Sequence, residues 1–287
     1  MERVGSVQDF LDFALKHDSE KRAVAYRGHE SHKFLLQPKV FRKTHQSAKK
    51  YEERILSEVL LEAPDEFASD KTTFEHLVRA QHYGLPTRLL DVTMNPLVAL
   101  YFACSNGGHN GDDGEVIQFS INPERVKFFD SDTVSCIANM AKLSYVEKND
   151  LYQYYKSFEG KGGTTSIDRS ELNERSEVAR LIQFIRIEKP YFLSEIDPVD
   201  LWRLLFVFPK KSNRRIIAQS GAFIIAGLLK EINSSTSKAI AIRRLKIEAR
   251  KKKNILGELD KLNINGRTLF PEIENITEYI ERRYVNW

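Results

Sequence analysis

The chain has 287 residues, 41% hydrophobic and 29% charged, a globular balance with enough apolar side chains for a buried core. Its net charge of +4 does not by itself imply nucleic acid, and its two cysteines, Cys104 and Cys136, stand outside any Cys-x-x-Cys pair, which argues against a disulfide framework or a zinc site. No run of about 18 apolar residues predicts a membrane span, and Met1 to Ser6 lacks the apolar stretch of a secretion signal, so a reducing cytoplasm is the expected location.

Residues 6–17 predict a first helix, with Val7, Phe10, Leu11, Ala14 and Leu15 at helical spacing behind Ser6 as cap. Arg22 to Gly28 predicts a strand. Residues 34–41 are expected to be extended, because Pro38 blocks a helix. Helices are predicted over residues 50–62 and from Thr73 to Tyr83, the second stopped by Gly84 and Pro86. Thr87 to Thr93 is short and extended or turning. Asn95-Pro96 then opens a helix whose residues Leu97 to Cys104 are apolar nearly all round, so it should be buried.

Glu115 to Ile121 predicts a strand after a Gly- and Asp-rich loop. Residues 123–190 are expected to be a mainly helical insertion with a soft break at Gly160 to Ser166. Strands are predicted within Leu201–Pro209 and over Gly221 to Gly227, with a short helix from Asn213 to Gln219 between them. A long basic helix is predicted over 236–262 and a last helix over 271–284. The expected fold is therefore mixed α/β (α+β), a small central sheet with surrounding helices, in a single domain over 1–287. Its core motif region covers 20–121, and residues 200–287 complete the core.

Several polar residues could carry function, each with a structural alternative. Arg27, between Tyr26 and Gly28, is a permanent cation whose donor fork suits phosphate or carboxylate, and glycine lets a ligand approach the backbone. Alternatively it pairs with a structural carboxylate such as Asp91. His82 is either a base or donor near neutral pH or a helix-end cap. Arg88, Asp91 and Thr93 form either a buried ion pair or the polar floor of a ligand site ahead of a helix N-terminus. Gln219 either satisfies backbone groups or reaches into a cleft. Asp112-Asp113 is read as a solvated turn and Cys104 as a buried, inert thiol. Two basic clusters, residues 210–215 and 243–253, could track nucleic acid or be solvated faces. No metal site is expected.

Tyr26-Arg27-Gly28, followed by His82-Tyr-Gly-Leu-Pro-Thr-Arg-Leu-Leu-Asp-Val-Thr93 and the Pro-opened helix to Ala103, resembles the FRG-domain family, named for a Phe/Tyr-Arg-Gly element. The resemblance is strongest over residues 20–121. It implies a bacterial or phage protein, of a family that sometimes occurs in settings suggestive of defence. A more distant similarity is to ADP-ribosyltransferases. There, an Arg-Gly on an early strand holds NAD, a Ser/Thr strand leads into an Ala-x-x-Phe-Ala helix, and a Glu or Gln follows on a later strand. Arg27-Gly28, Thr93 and Gln219 fall in that order. That likeness implies a nucleotide pocket with NAD as a substrate. Tyr26, Arg27, Gly28, Arg88 and Asp91 would bind the ligand, and His82, Thr93 and Gln219 would be the catalytic set. The chain departs from that pattern in having no Glu-x-Glu on a predicted strand, since Glu272-Ile-Glu274 follows Phe270-Pro271 in a predicted helix.

Overall fold

The computed structural model describes residues 2–15, 22–105, 111–228 and 239–285. Its strands are β1 (Glu2–Val4), β2 (Ala23–His29), β3 (Leu89–Thr93), β4 (Gly114–Ile121), β5 (Val126–Phe128), β6 (Leu204–Phe208), β7 (Gly221–Ala226) and β8 (Ile240–Ile247). They form one sheet in the order β1-β8-β4-β2-β3-β7-β6-β5. Inner pairings are antiparallel, and the edge strands β1 and β5 join in parallel.

Alternation along the strands sorts side chains between two faces. On one face, Ala25, Ile117, Phe119, Leu90, Val92, Ala222, Ile224 and Phe206 form a single buried cluster. Its members come almost entirely from strands of both halves of the sheet, so the sheet curls and packs on itself. The other face carries two separate helix layers. Helices Val7–Leu15, Pro96–Cys104 and Lys252–Lys261 pack with Val116, Leu245 and Ile247 on one half. Helices Glu52–Glu62, Thr73–His82 and Asp132–Asn139 pack with Leu89, Val207, Phe223 and Ile225 on the other. The space between these layers lies above the junction of β2 and β3.

Two helix starts set that junction. Asn95 caps Pro96–Cys104 by accepting the Leu97 N–H, with Pro96 in the first turn. Thr72 and Glu75 form a capping box at the start of Thr73–His82. The same helix N-terminus is held by Glu188, which accepts from both the Thr73 N–H and its hydroxyl. Glu188 ends the helix Ser176–Glu188 of the helical segment, whose own core includes Leu151, Leu172, Leu181 and Ile185. The segment therefore clamps the helix that carries His82.

Three expectations are corrected. The long basic helix over 236–262 does not form: residues 240–247 are β8, a short turn follows, and the helix spans only Lys252–Lys261 (236–238 lie outside the described residues). The strand alternative wins because Ile240, Leu245 and Ile247 bury into the core while the charged residues between them find partners. Arg244 meets Glu115 at 2.7 Å, Lys246 meets Asp113 at 2.8 Å, and the Arg243 guanidinium lies 4.4 Å from the Phe13 ring centre. Lys252 is buried and donates to the Glu30 carbonyl. Residues 34–41 are not one extended piece, since Lys39–Phe41 is a helical turn. The mainly helical insertion also contributes a strand to the sheet, since the edge strand β5 follows a helical turn at Pro123–Arg125.

Candidate functional site

β2 and β3 share a single register pair, Tyr26 with Thr93. Beyond it the strands part: Arg27 to His29 pair only with β4, and Asp91 and Val92 only with β7. Backbone groups facing such a gap need other partners. Arg27 supplies one, donating from Nη1 to the Asp91 carbonyl at 2.6 Å. Its Nε donates to His29 Nε2 at 3.0 Å, and Nη1 lies 3.7 Å from the Asp91 carboxylate. Arg27 Nη2 makes no hydrogen bond among the described residues. Burial lowers the Arg27 pKa and Asp91 opposes that shift, and guanidinium stays cationic throughout.

Over the gap opens a cleft of about 240 Å³. Tyr26, Val92, Phe102, Val78, Ile216 and Phe223 give it an apolar floor. Arg27, His82, Asp91, Arg215 and Gln219 give it polar walls. His82 ends the helix Thr73–His82, where Gly84 at φ 88° lets the chain turn away. Burial and the Arg215 charge lower the His82 pKa, against the pull of Glu272. Its Nε2 lies 3.7 Å from the Glu272 carboxylate. Arg215 stacks over the Phe270 ring at 4.7 Å and forms no ion pair among the described residues.

Thr93 and Gln219 tie the cleft walls together. The Thr93 hydroxyl donates to the Gln219 carbonyl at 2.6 Å and accepts from the Asn95 N–H at 3.0 Å. Its donor is thereby engaged inside the protein. Gln219 donates from Nε2 to the Leu269 carbonyl at 3.0 Å. Between Gln219 and β7, Ser220 adopts φ 47°, an uncommon conformation for a residue with a side chain. Gln219 and Arg215, on the chain just before that turn, both line the cleft.

Two expected roles change. Arg88 does not reach the cleft. It is 1% exposed and grips Glu52 with two hydrogen bonds of 2.9 and 2.7 Å, while its third donor meets the Ala226 carbonyl at 3.0 Å. Position along β3 explains the loss: Arg88 precedes the strand at the end opposite Thr93, where β3 meets β2, and there it reaches Glu52 and the Ala226 carbonyl instead. Gly28 borders the cleft, but its missing side chain serves the fold. A Cβ there would sit 2.0 Å from the Ala99 carbonyl oxygen and 2.6 Å from the Ala103 nitrogen, so it is the helix that approaches the backbone so closely.

Of the residues expected from sequence, the cleft brings together Tyr26, Arg27, Gly28, His82, Asp91, Thr93 and Gln219. Arg215, which lines the cleft, and Glu272 and His29, which contact His82 and Arg27, were not expected there. Arg215 was legible only as part of a basic cluster, and Glu272 as half of a Glu-x-Glu on a helix. His29 carried no local signal beyond its place two residues after Arg27. Cys104 is buried, and burial pushes its thiol up to about 12, so it is inert as read. Asp112 and Asp113 are not a plain solvated turn: they bind Ser31 and Lys33, and Lys246 and the Ala249 N–H, respectively.

A larger hollow of about 490 Å³ lies in the helical segment. Its charged groups answer one another, with Lys189 on Asp132, Arg169 on Glu195 and Asp200 on Arg203. Among the described residues no group of three His, Cys, Asp or Glu could hold a metal ion, and no helix is long and apolar enough to cross a membrane.

No curated protein and no solved structure matches the chain. Residues 22–112 match the family model of the FRG domain, and that stretch contains β2, β3, both helices flanking the cleft, and the Arg27, His82 and Asp91 side chains within it; this part of the chain is an FRG domain.

Proposed function

We propose that the cleft binds a nucleotide, with NAD or ADP-ribose as the ligand class. The observation that carries the reading is the pairing of an aromatic and aliphatic floor with two guanidinium groups, Arg27 and Arg215, that have donors to spare. A flat base or nicotinamide ring suits the floor of Tyr26, Phe102 and Phe223, and a phosphate suits the Arg27 Nη2 and Arg215 forks. The volume is below the roughly 300–1,000 Å³ of drug-sized ligand pockets. It therefore takes one ring and the phosphates of a dinucleotide, with the remainder at the open mouth. His82 offers a hydrogen bond at one wall, and Asp91 holds Arg27 at the other.

The enzymatic extension of this reading is ADP-ribosyl transfer from NAD. Gln219 is an amide and cannot act as the carboxylate such chemistry uses to stabilise a ribosyl cation. The carboxylates near the cleft are Asp91 and Glu272. Incubation with NAD and measurement of released nicotinamide separates an enzyme from a binding module.

The binding itself is tested by calorimetric titration with NAD and ADP-ribose. Wild type is expected to give a saturable heat. Arg215→Ala is expected to weaken binding about tenfold or more, the worth of a charge-assisted hydrogen bond, with little change in melting temperature because its side chain holds no buried partner. Absence of heat from folded wild type at millimolar nucleotide would remove the proposal.

A further inference from the structure

We infer that His29 is a positioning residue: it accepts the Arg27 Nε–H and so fixes the guanidinium with Nη2 facing the cleft. The inference rests on the nucleotide reading for its functional consequence, but its geometry stands independently. His29 is 3% exposed, on the same face of β2 as Arg27, and its Nε2 receives the Arg27 Nε–H at 3.0 Å. Nη1 is fixed at the same time on the Asp91 carbonyl. Two anchored nitrogens define the plane of a rigid guanidinium, so the third is aimed without further loss of freedom.

An imidazole can accept at Nε2 only if its proton sits on Nδ1. That nitrogen is buried and has no hydrogen-bond partner, yet it faces the Glu115 carboxylate at 3.8 Å. Glu115 is itself 1% exposed and held by Arg244 at 2.7 Å. A fixed negative charge on the Nδ1 side favours the proton there, and therefore the acceptor on the Arg27 side. Burial, with the charges of Arg27, Arg42 and Arg244, lowers the His29 pKa to about 2, so the ring stays a neutral acceptor in ordinary buffers. Arg244, Glu115, His29 and Arg27 thus form one line from β8 through β4 to β2, buried at Glu115 and His29. An apolar side chain would fill the space at position 29 but would leave Arg27 Nε–H unpaired and the fork free to rotate.

The test uses His29→Leu, which keeps bulk without an acceptor, and His29→Gln, whose amide oxygen can accept. Nuclear magnetic resonance reads the Arg27 Nε–H directly, and titration reads ADP-ribose affinity. Wild type is expected to show a slowly exchanging Arg27 Nε–H. His29→Leu should lose that protection and weaken ADP-ribose about tenfold, and His29→Gln should restore both to within about threefold. If the leucine variant does not fold, His29→Asn, too short to bridge to Arg27, takes its place with the same expectation. Wild-type Nε–H protection in a folded His29→Leu or His29→Asn protein overturns the inference. If wild type binds no nucleotide, the nucleotide reading fails alone, because the Nε–H measurement still decides the role of His29.

Discussion

Gly28→Ala is expected to lower the melting temperature by on the order of 6 °C, the largest single effect of adding one methyl group at any glycine of the cleft. The added Cβ would meet the Ala99 carbonyl oxygen at 2.0 Å, the Ala103 nitrogen at 2.6 Å and the Phe102 Cβ at 2.8 Å. Two of these are backbone atoms of a helix that is apolar nearly all round and packed on β2, so no flexible side chain can swing aside. Relief requires the helix Pro96–Cys104 to lift from the sheet, uncovering Ala99, Leu100 and Ala103, all fully buried. Overpacking of a core costs about 1–3 kcal/mol, and a backbone clash falls at the upper end. About 3 kcal/mol at roughly 2 °C per kcal/mol for a chain of this size gives the stated shift.

Gly257 provides the internal control. It lies on the exposed face of the helix Lys252–Lys261, where a Cβ meets nothing within 4 Å. Gly257→Ala should therefore stabilise by roughly 0.5–1 kcal/mol through helix propensity alone. Thermal unfolding of the two variants side by side separates the clash at Gly28 from a general glycine effect. Equal melting temperatures would contradict the close helix–strand packing.

The fold was legible where local pattern and burial agree. The capped helix after Asn95, the strand before Gly28 and the strands around 204–208 and 221–226 are all marked by dense apolar runs with turn residues at their ends. Residues 240–247 were misread because arginine and lysine are good helix formers and their charges obscure the alternation of Ile240, Ile242, Leu245 and Ile247. Ile240 and Ile242 bury on one face of the sheet and Leu245 and Ile247 on the other, so no single period-two stripe runs the length of the strand. The site was half legible. Arg27, His82 and Asp91 stand in a recognisable pattern, and the register of β2 on β3 brings them to one gap. The groups that complete the surroundings come from Arg215 on a short helix and from Glu272 just before the last helix, remote in sequence, and their local sequence says nothing about where they dock.

Arg88 shows the opposite error: a motif residue read as a ligand contact that instead holds the core. Arg88→Met is expected to cost about 3–5 kcal/mol, because it strands the Glu52 carboxylate in a site that is 4% exposed. Lys148, at 2.9 Å from Glu52, would remain as a single partner in place of three hydrogen bonds. Replacing both members, as in Glu52→Leu with Arg88→Met, removes the stranded charge and should recover part of that loss, since well-packed apolar pairs can substitute for a buried ion pair. The pH dependence follows from Glu52. Burial alone would push its carboxyl up, but Arg88 and Lys148 outweigh burial and hold it at about 2, below its ordinary value of 4.5. A depressed folded pKa means stability that is fully present above pH 4.5 and is lost as pH falls from there toward 2. In Arg88→Met the carboxyl takes up a proton at higher pH, which relieves the buried charge. The difference in unfolding free energy between wild type and Arg88→Met should therefore be largest at neutral pH and shrink between pH 5 and pH 2, as read by urea titration at stepped pH. A difference that stays constant across that range would show that the Arg88 contribution comes from packing against Phe41 and the Ala226 carbonyl rather than from its grip on Glu52.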